Sequence, residues 1–236
     1  MTMFMLSDRA RRVLFILTVI ALGTAAVLGA SSAERSVSAA MTAAAGSFLL
    51  AAAAFSGRRG EPAFLSLVSV LTALSVTGRI VFAPFAGFKP CTAVIIIAGA
   101  CLGSDAGFIC GTLTALVSNI YFGQGTWTLY QMFAWGLIGI AAGLCGKLLL
   151  RKRPLLYVFA AVSGLVYSLI MDIFSTFWES GYFDPLRFTA LAAGSLPLTA
   201  TYAVSNVIFM AVLSDRMSFA VMRVKKRYGV RQKEPS

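Results

Sequence analysis

Long stretches of this chain run without a charge. Apolar residues fill 13–30, 37–55, 63–82, 88–103, 106–122, 130–150, 155–176 and 195–213. Between them lie polar, Gly/Pro or charged breaks: Ser31–Ser36, Gly57–Pro62, Phe85–Lys89, Gly103–Gly107, Gly123–Thr128, Arg151–Pro154 and Trp178–Gly194. A helix rising about 1.5 Å per residue needs about 20 apolar residues to cross a bilayer. The pattern therefore predicts eight helical segments. A transmembrane barrel would show shorter segments with strict alternation, which this chain lacks.

The stretch 92–117 reads as one long helix or as two short ones broken at Gly103-Ser-Asp-Ala-Gly107. The basic residues decide. With the break and a cytoplasmic N-terminus, sixteen of the twenty Lys and Arg fall on the cytoplasmic side; Arg35, Arg79, Lys89 and Arg187 fall outside. Without it, the Arg151 cluster and the basic tail move outside and the asymmetry collapses. Positive residues accumulate on the cytoplasmic side, so the expectation is eight segments with both termini cytoplasmic. The run 13–30 is longer than a signal-peptide core and reads as a retained helix.

Composition agrees. Of 236 residues, 58% are hydrophobic and 12% charged, where soluble domains average about 25% charged. The net charge of +11 follows from the cytoplasmic loops and the basic tail Arg223–Lys233, a solvated, lipid-facing stretch, with no need for nucleic acid. The absence of histidine removes histidine acid–base catalysis and most zinc sites. Cys91, Cys101, Cys110 and Cys145 read as buried thiols. The nearest approach to a P-loop, Ala141 to Leu148, lacks the first Gly and the final Ser/Thr. No catalytic residue, metal or cofactor is expected.

Small residues recur at Gly99, Gly103, Gly107, Gly111 and Ala115, and at Gly139 and Gly143. Such spacing lets helix backbones approach closely, for packing or for sliding against a partner. Ser66, Ser69, Ala73 and Thr77 form another stripe on one face of 63–82.

Polar and aromatic residues gather at the expected outer side. Arg79, Phe85 and Lys89 come first. Tyr121, Gln124, Trp127, Tyr130, Gln131 and Trp135 follow, then Asp172, Trp178, Glu179, Tyr182 and Asp184. All three Trp lie there. An interfacial belt would place aromatics at both sides, so the asymmetry points to an outward ligand site. Gln131 and Trp135, four apart, share a helix face. Asp172 lies within a span and is a functional candidate with Arg79 or Lys89 as its partner. Asn119 and Asn206 are further intramembrane amides. A different class, a membrane enzyme or assembly factor acting on a lipid-linked substrate, would draw on Asp105, Asp172 and Glu179.

Several words are family-like: Arg79–Pro90; Thr92-Ala-Val-Ile-Ile-Ile97; Gly103-x-x-x-Gly107-Phe108-x-x-Gly111; and Ser118-Asn119-x-x-Phe122-Gly-Gln124-Gly-x-Trp127-Thr128-x-x-Gln131-Met-Phe-Ala-Trp135-Gly136-Leu137. Over about residues 63–215 the chain resembles the substrate-binding S components of energy-coupling factor (ECF) vitamin transporters. The resemblance implies an all-α integral membrane protein. A six-helix binding core over 63–215 would follow an N-terminal transmembrane hairpin over 1–62, with a basic cytoplasmic tail at 216–236. It implies capture of a vitamin or cofactor precursor, cobalamin or a related corrinoid first, at the outer face of the cell membrane. The implied partners are a transmembrane coupling subunit and two ABC-type ATPases. Arg79, Lys89, Asn119, Gln124, Trp127, Gln131, Trp135, Asp172 and Trp178 are the candidate substrate-binding residues. The family's Ala-x-x-x-Ala docking stripe is matched in size by Ser69, Ala73 and Thr77, with Ala40 and Ala44 as a rival.

Overall fold

The computed structural model describes residues 62–180 and 183–228. The hairpin expected over 13–55, with Ala40 and Ala44, and Tyr182 lie outside them.

Seven helices follow in order: α1 Pro62–Val81, α2 Cys91–Leu102, α3 Ser104–Phe122, α4 Trp127–Leu144, α5 Gly146–Arg151, α6 Arg153–Ser180 and α7 Pro185–Arg227. Among the described residues there is no strand. Among the described residues four helices, α1, α4, α6 and α7, are long and apolar enough to cross a membrane.

On three of them apolar side chains are exposed while polar ones are buried beside the apolar core. The inward face of α1 carries Phe64, Val68 and Leu71, but also Thr72, Ser75 and Arg79. Its exposed face carries Val70, Leu74 and Val81. On α6, Val158, Val162, Leu165 and Leu169 are exposed while Ser163, Ser168 and Asp172 are buried. On α7, Val204, Ile208 and Val212 face out while Ser205 and Asn206 face in. Apolar groups outward and paired polar groups inward is the arrangement a lipid solvent favours.

The core is built around α2. It has 12 residues, all buried, and it packs against every other helix. At about 1.5 Å per residue it is about 18 Å long, too short to span by itself. The expected span 88–103 is thus a buried central helix. The break after it is real but narrower than the expected Gly103–Gly107. Gly103 alone interrupts the chain, at φ 102° and ψ 172°, a conformation costly for any residue with a Cβ. Its N–H still bonds to the Gly99 carbonyl at 2.8 Å, and α3 starts at the next residue.

Two other boundaries differ from expectation. The run 130–150 is split at Cys145 into α4 and α5, and Cys145 is exposed, whereas the other three cysteines are buried as expected. The run 195–213 is the middle of a 43-residue helix, α7. Its start was hidden among charges and turn formers. Asp184 caps it, its Oδ1 accepting from Leu186 N–H at 2.9 Å and Arg187 N–H at 3.3 Å, with Pro185 next. This is a regular helix N-terminus. Glu179 meets Arg187 across the connection at 3.1 Å. At the far end α7 continues through 216 to Arg227, and Lys225 Nζ donates to the Cys101 carbonyl at 2.9 Å. That lysine is tied to α2 and is not part of a free solvated tail.

Candidate functional site

At one end of the bundle, α1 brings in a buried cation. Arg79 is 7% exposed. Its Nη1 donates to Ser118 Oγ and, at 2.7 Å, to Asn119 Oδ1, both from the last turn of α3. Its Nη2 reaches Gln131 Oε1 of α4 at 3.4 Å. Asn119 Nδ2 in turn donates to Gln131 Oε1 at 2.8 Å and Thr128 Oγ1 at 2.9 Å. Thr128 donates onward to Gln124 Oε1 at 3.0 Å, and Gln124 Nε2 closes on the Leu116 carbonyl at 2.8 Å. Three helices and the α3–α4 loop thus share one network, and the amides hold the guanidinium where its burial would otherwise be costly.

The guanidinium also lies over two rings, 4.6 Å from the Phe122 centroid and 5.0 Å from that of Trp135. Trp135 Nε1 donates to Thr92 Oγ1 of α2 at 3.2 Å. Tyr167 of α6 stacks on the indole at 4.9 Å with 21° between planes, and Tyr202 of α7 meets Tyr167 edge-on at 5.2 Å. Beside this stack lies a cavity of about 100 Å³, lined by Arg79, Lys89, Gln131, Trp135, Tyr167 and Tyr202, with Thr92, Cys91, Asn206, Gly87 and Gly164 between them. Asn206 is anchored by its Nδ2 on the Ala160 carbonyl at 3.1 Å.

The loop 82–90 forms part of the wall. Phe82 and Phe88 pack on Phe209 of α7, at 5.1 and 4.9 Å between centroids. Ser205 of α7 clips the backbone of Lys89, accepting its N–H at 2.9 Å and donating to its carbonyl at 3.3 Å. Gly87 takes φ 72° against Leu198 and Thr201 of α7, a turn that favours glycine. The Lys89 ammonium stands 5.4 Å from the Phe122 centroid, the ring that Arg79 also covers. Burial, and then the neighbouring Arg79 charge, hold its pKa below the ordinary lysine value.

Of the nine candidate binding residues, the structure joins Arg79, Lys89, Asn119, Gln131 and Trp135. Gln124 supports them at one remove through Thr128. The other three stand apart from the cavity. Trp127, expected just before a helix, is its first residue; it is 38% exposed and packs over Gly125. Trp178 is 53% exposed and touches Phe174 at 6.0 Å. Asp172 is buried, but its partner is Ser195, whose Oγ donates to Oδ2 at 2.9 Å, and not Arg79 or Lys89. Thr92, Tyr167 and Tyr202 were not singled out by sequence reasoning. Tyr167 lay in the run 155–176, where hydropathy alone does not mark an inward-facing ring.

The acids of the enzyme reading do not converge. Asp105 is in the first turn of α3, about 21 Å along the axis from Asn119. Asp172 is held by Ser195, and Glu179 pairs with Arg187. Among the described residues there is no cluster of three His, Cys, Asp or Glu able to hold a metal. Of the small-residue stripes, that of α2–α3–α4 is consumed inside the chain, since a Cβ on Gly99, Gly107 or Gly139 would collide with facing backbone. The Ser69, Ala73 and Thr77 stripe of α1 is exposed. Comparison with protein-family models, with curated proteins and with solved structures finds no match for the chain.

Proposed function

We propose that this chain is the substrate-capture subunit of an ECF-type importer. In this reading it crosses a cell membrane several times with both termini cytoplasmic and takes its ligand at the outer face. The observation that carries the reading is the box around Arg79. Cations, amides and stacked rings from α1, α2, α4, α6 and α7 meet there beside a cavity, which is the make-up of a binding pocket. The basic asymmetry of the sequence puts that end outside, and the lack of a P-loop leaves energy to other subunits. A cavity of about 100 Å³ is below the roughly 300–1,000 Å³ of ordinary ligand pockets. The reading therefore takes a compact ligand, or one side group of a larger one, in place of an enclosed corrinoid.

The partners in this reading are a transmembrane coupling subunit and two ABC-type ATPases. Purified alone in liposomes, the chain should bind ligand without concentrating it. Addition of the three partner subunits should give ATP-dependent uptake. Concentrative uptake by the lone chain would defeat the reading. Ala73→Trp on the exposed face of α1 should block assembly and spare ligand binding, because close helix contact requires small side chains. Co-purification of an intact complex with that variant would move docking elsewhere.

A further inference from the structure

The donors and acceptors around Arg79 do not balance. A guanidinium carries five N–H donors and never deprotonates in a protein. Its bonds use Nη1 twice and Nη2 once. Nε–H and one hydrogen of Nη2 have no acceptor among the described residues. All three protein partners are neutral, and the ion pairs of Arg153 with Asp215 and of Arg187 with Glu179 lie elsewhere. Lys89 lines the same cavity, and its ammonium has a ring but no acceptor among the described residues. None of the lining residues is an acid. Asp172, the acid expected to neutralise this corner, is turned to Ser195. Two cations thus face one cavity within an apolar bundle, with spare N–H groups and no counter-charge among the described residues. Charges in such surroundings are ordinarily paired.

We propose that the cavity binds the carboxylate group of a small organic acid, held between Arg79 and Lys89. A carboxylate offers about four lone-pair sites. The free N–H groups of Arg79 fill two in the forked geometry this pair favours, and the Lys89 ammonium takes another. The neighbouring walls are Trp135, Tyr167 and Tyr202, with Thr92 and Asn206 as the uncharged polar groups. They suit a carbon body beyond the acid better than the further oxygens of a phosphoryl group. The cavity has room for the acid and a few more atoms, so the rest of the ligand extends towards the mouth under loop 82–90.

The proposal rests on the capture reading for its cavity but not for the transport partners, and the two fail separately. The test titrates the full chain in lipid nanodiscs with benzoate, benzamide and phenylphosphonate, followed by calorimetry. Benzoate should bind at least about tenfold more tightly than benzamide, and Lys89→Met should reduce that preference severalfold. Lys89→Arg, which keeps the charge at the same half-buried loop position, should retain it, so misfolding and charge loss are told apart. Equal affinity for benzoate and benzamide would overturn the carboxylate while leaving a capture site in place. A preference for phenylphosphonate would overturn it in favour of a phosphoryl ligand. No saturable binding by any of the three would overturn it outright, and ATP-dependent uptake would then judge the capture reading independently.

Discussion

Helices α2, α3 and α4 meet twice, and the two meetings are built from opposite materials. At one end Gly99, Gly107, Gly139 and Gly143 bring backbone against backbone, so close that a Cβ on any of them would overlap the facing chain. At the other end the same helices present Thr92, Asn119, Gln131 and Trp135, joined by Arg79 from α1. The glycine end has no side chains to spread the helices. The polar end has large ones, and Thr92, Gln131 and Trp135 there line the cavity together with residues of α1, α6 and α7. The difference teaches that the same three helices are held by backbone contact at one end and by side-chain hydrogen bonds at the other. Between the ends α3 and α4 stay in contact, with Gly111 against the Trp135 carbonyl.

The largest effect should come from breaking the glycine end. Gly107→Val or Gly139→Val drives a branched side chain into the carbonyl of the other helix. Overpacking a tight interior costs about 1–3 kcal/mol, more where backbone must move, and neither backbone has a flexible side chain to yield. Both variants should lose most of their folded yield and melt well below the parent in a thermal unfolding scan of detergent-solubilised protein. Parent-like melting of Gly139→Val would show that this contact does not hold the helices together.

That contact also shows what the sequence made legible. Four-residue glycine spacing marks a close approach in one dimension, and the structure uses it within the chain. Gln131 and Trp135 were legible as a shared helix face because a local period sets it. Arg79 stood out as a lone charge beside an apolar run. The partner of Asp172 was not legible, because pairing between α6 and α7 depends on where α7 begins. That start lay in a polar stretch whose Asp184-Pro185 cap was outweighed by its charges and by Gly194 and Pro197. Trp127 and Trp178 were grouped with Trp135 by proximity in sequence to the same end. Hydropathy cannot tell an inward indole from an outward one.

A middle-sized effect separates those indoles. Trp135 is buried, hydrogen-bonded to Thr92, covered by Arg79 and stacked on Tyr167. Removal of a buried aromatic anchor costs about 2 kcal/mol or more of binding, roughly thirtyfold in affinity. Trp135→Ala should weaken ligand binding by at least about tenfold. Trp127→Ala and Trp178→Ala, at exposed rings, should leave affinity within about twofold and act on insertion or stability instead. Calorimetry on well-folded variants decides it. Equal losses at Trp135 and Trp127 would extend the site to the bundle rim and dissolve the distinction between cavity and belt.

The smallest effect is a pH dependence, and it sharpens the polar end alone. Lys89 sits among Arg79 from α1 and Cys91 at the start of α2, with burial and the Arg79 charge lowering its pKa. Lys89 is the cavity cation whose pKa is lowered, so its titration changes the cavity's charge at a lower pH than an ordinary lysine would. A bound carboxylate favours the ammonium and raises its pKa, so binding takes up protons. The sign follows. Benzoate affinity is full below the pKa of Lys89 in the free protein and falls as pH rises from that value to the pKa in the complex. Because the free value is depressed, the fall begins at lower pH than for an ordinary lysine. Its total size is about tenfold or less, since Arg79 keeps its own share of the attraction. Lys89→Arg should give a flat profile at the high level and Lys89→Met a flat profile at the low level, read by calorimetry between about pH 7 and pH 10. A slope that survives in Lys89→Met would assign the titration to another group and leave Arg79 as the sole cation acting on the ligand.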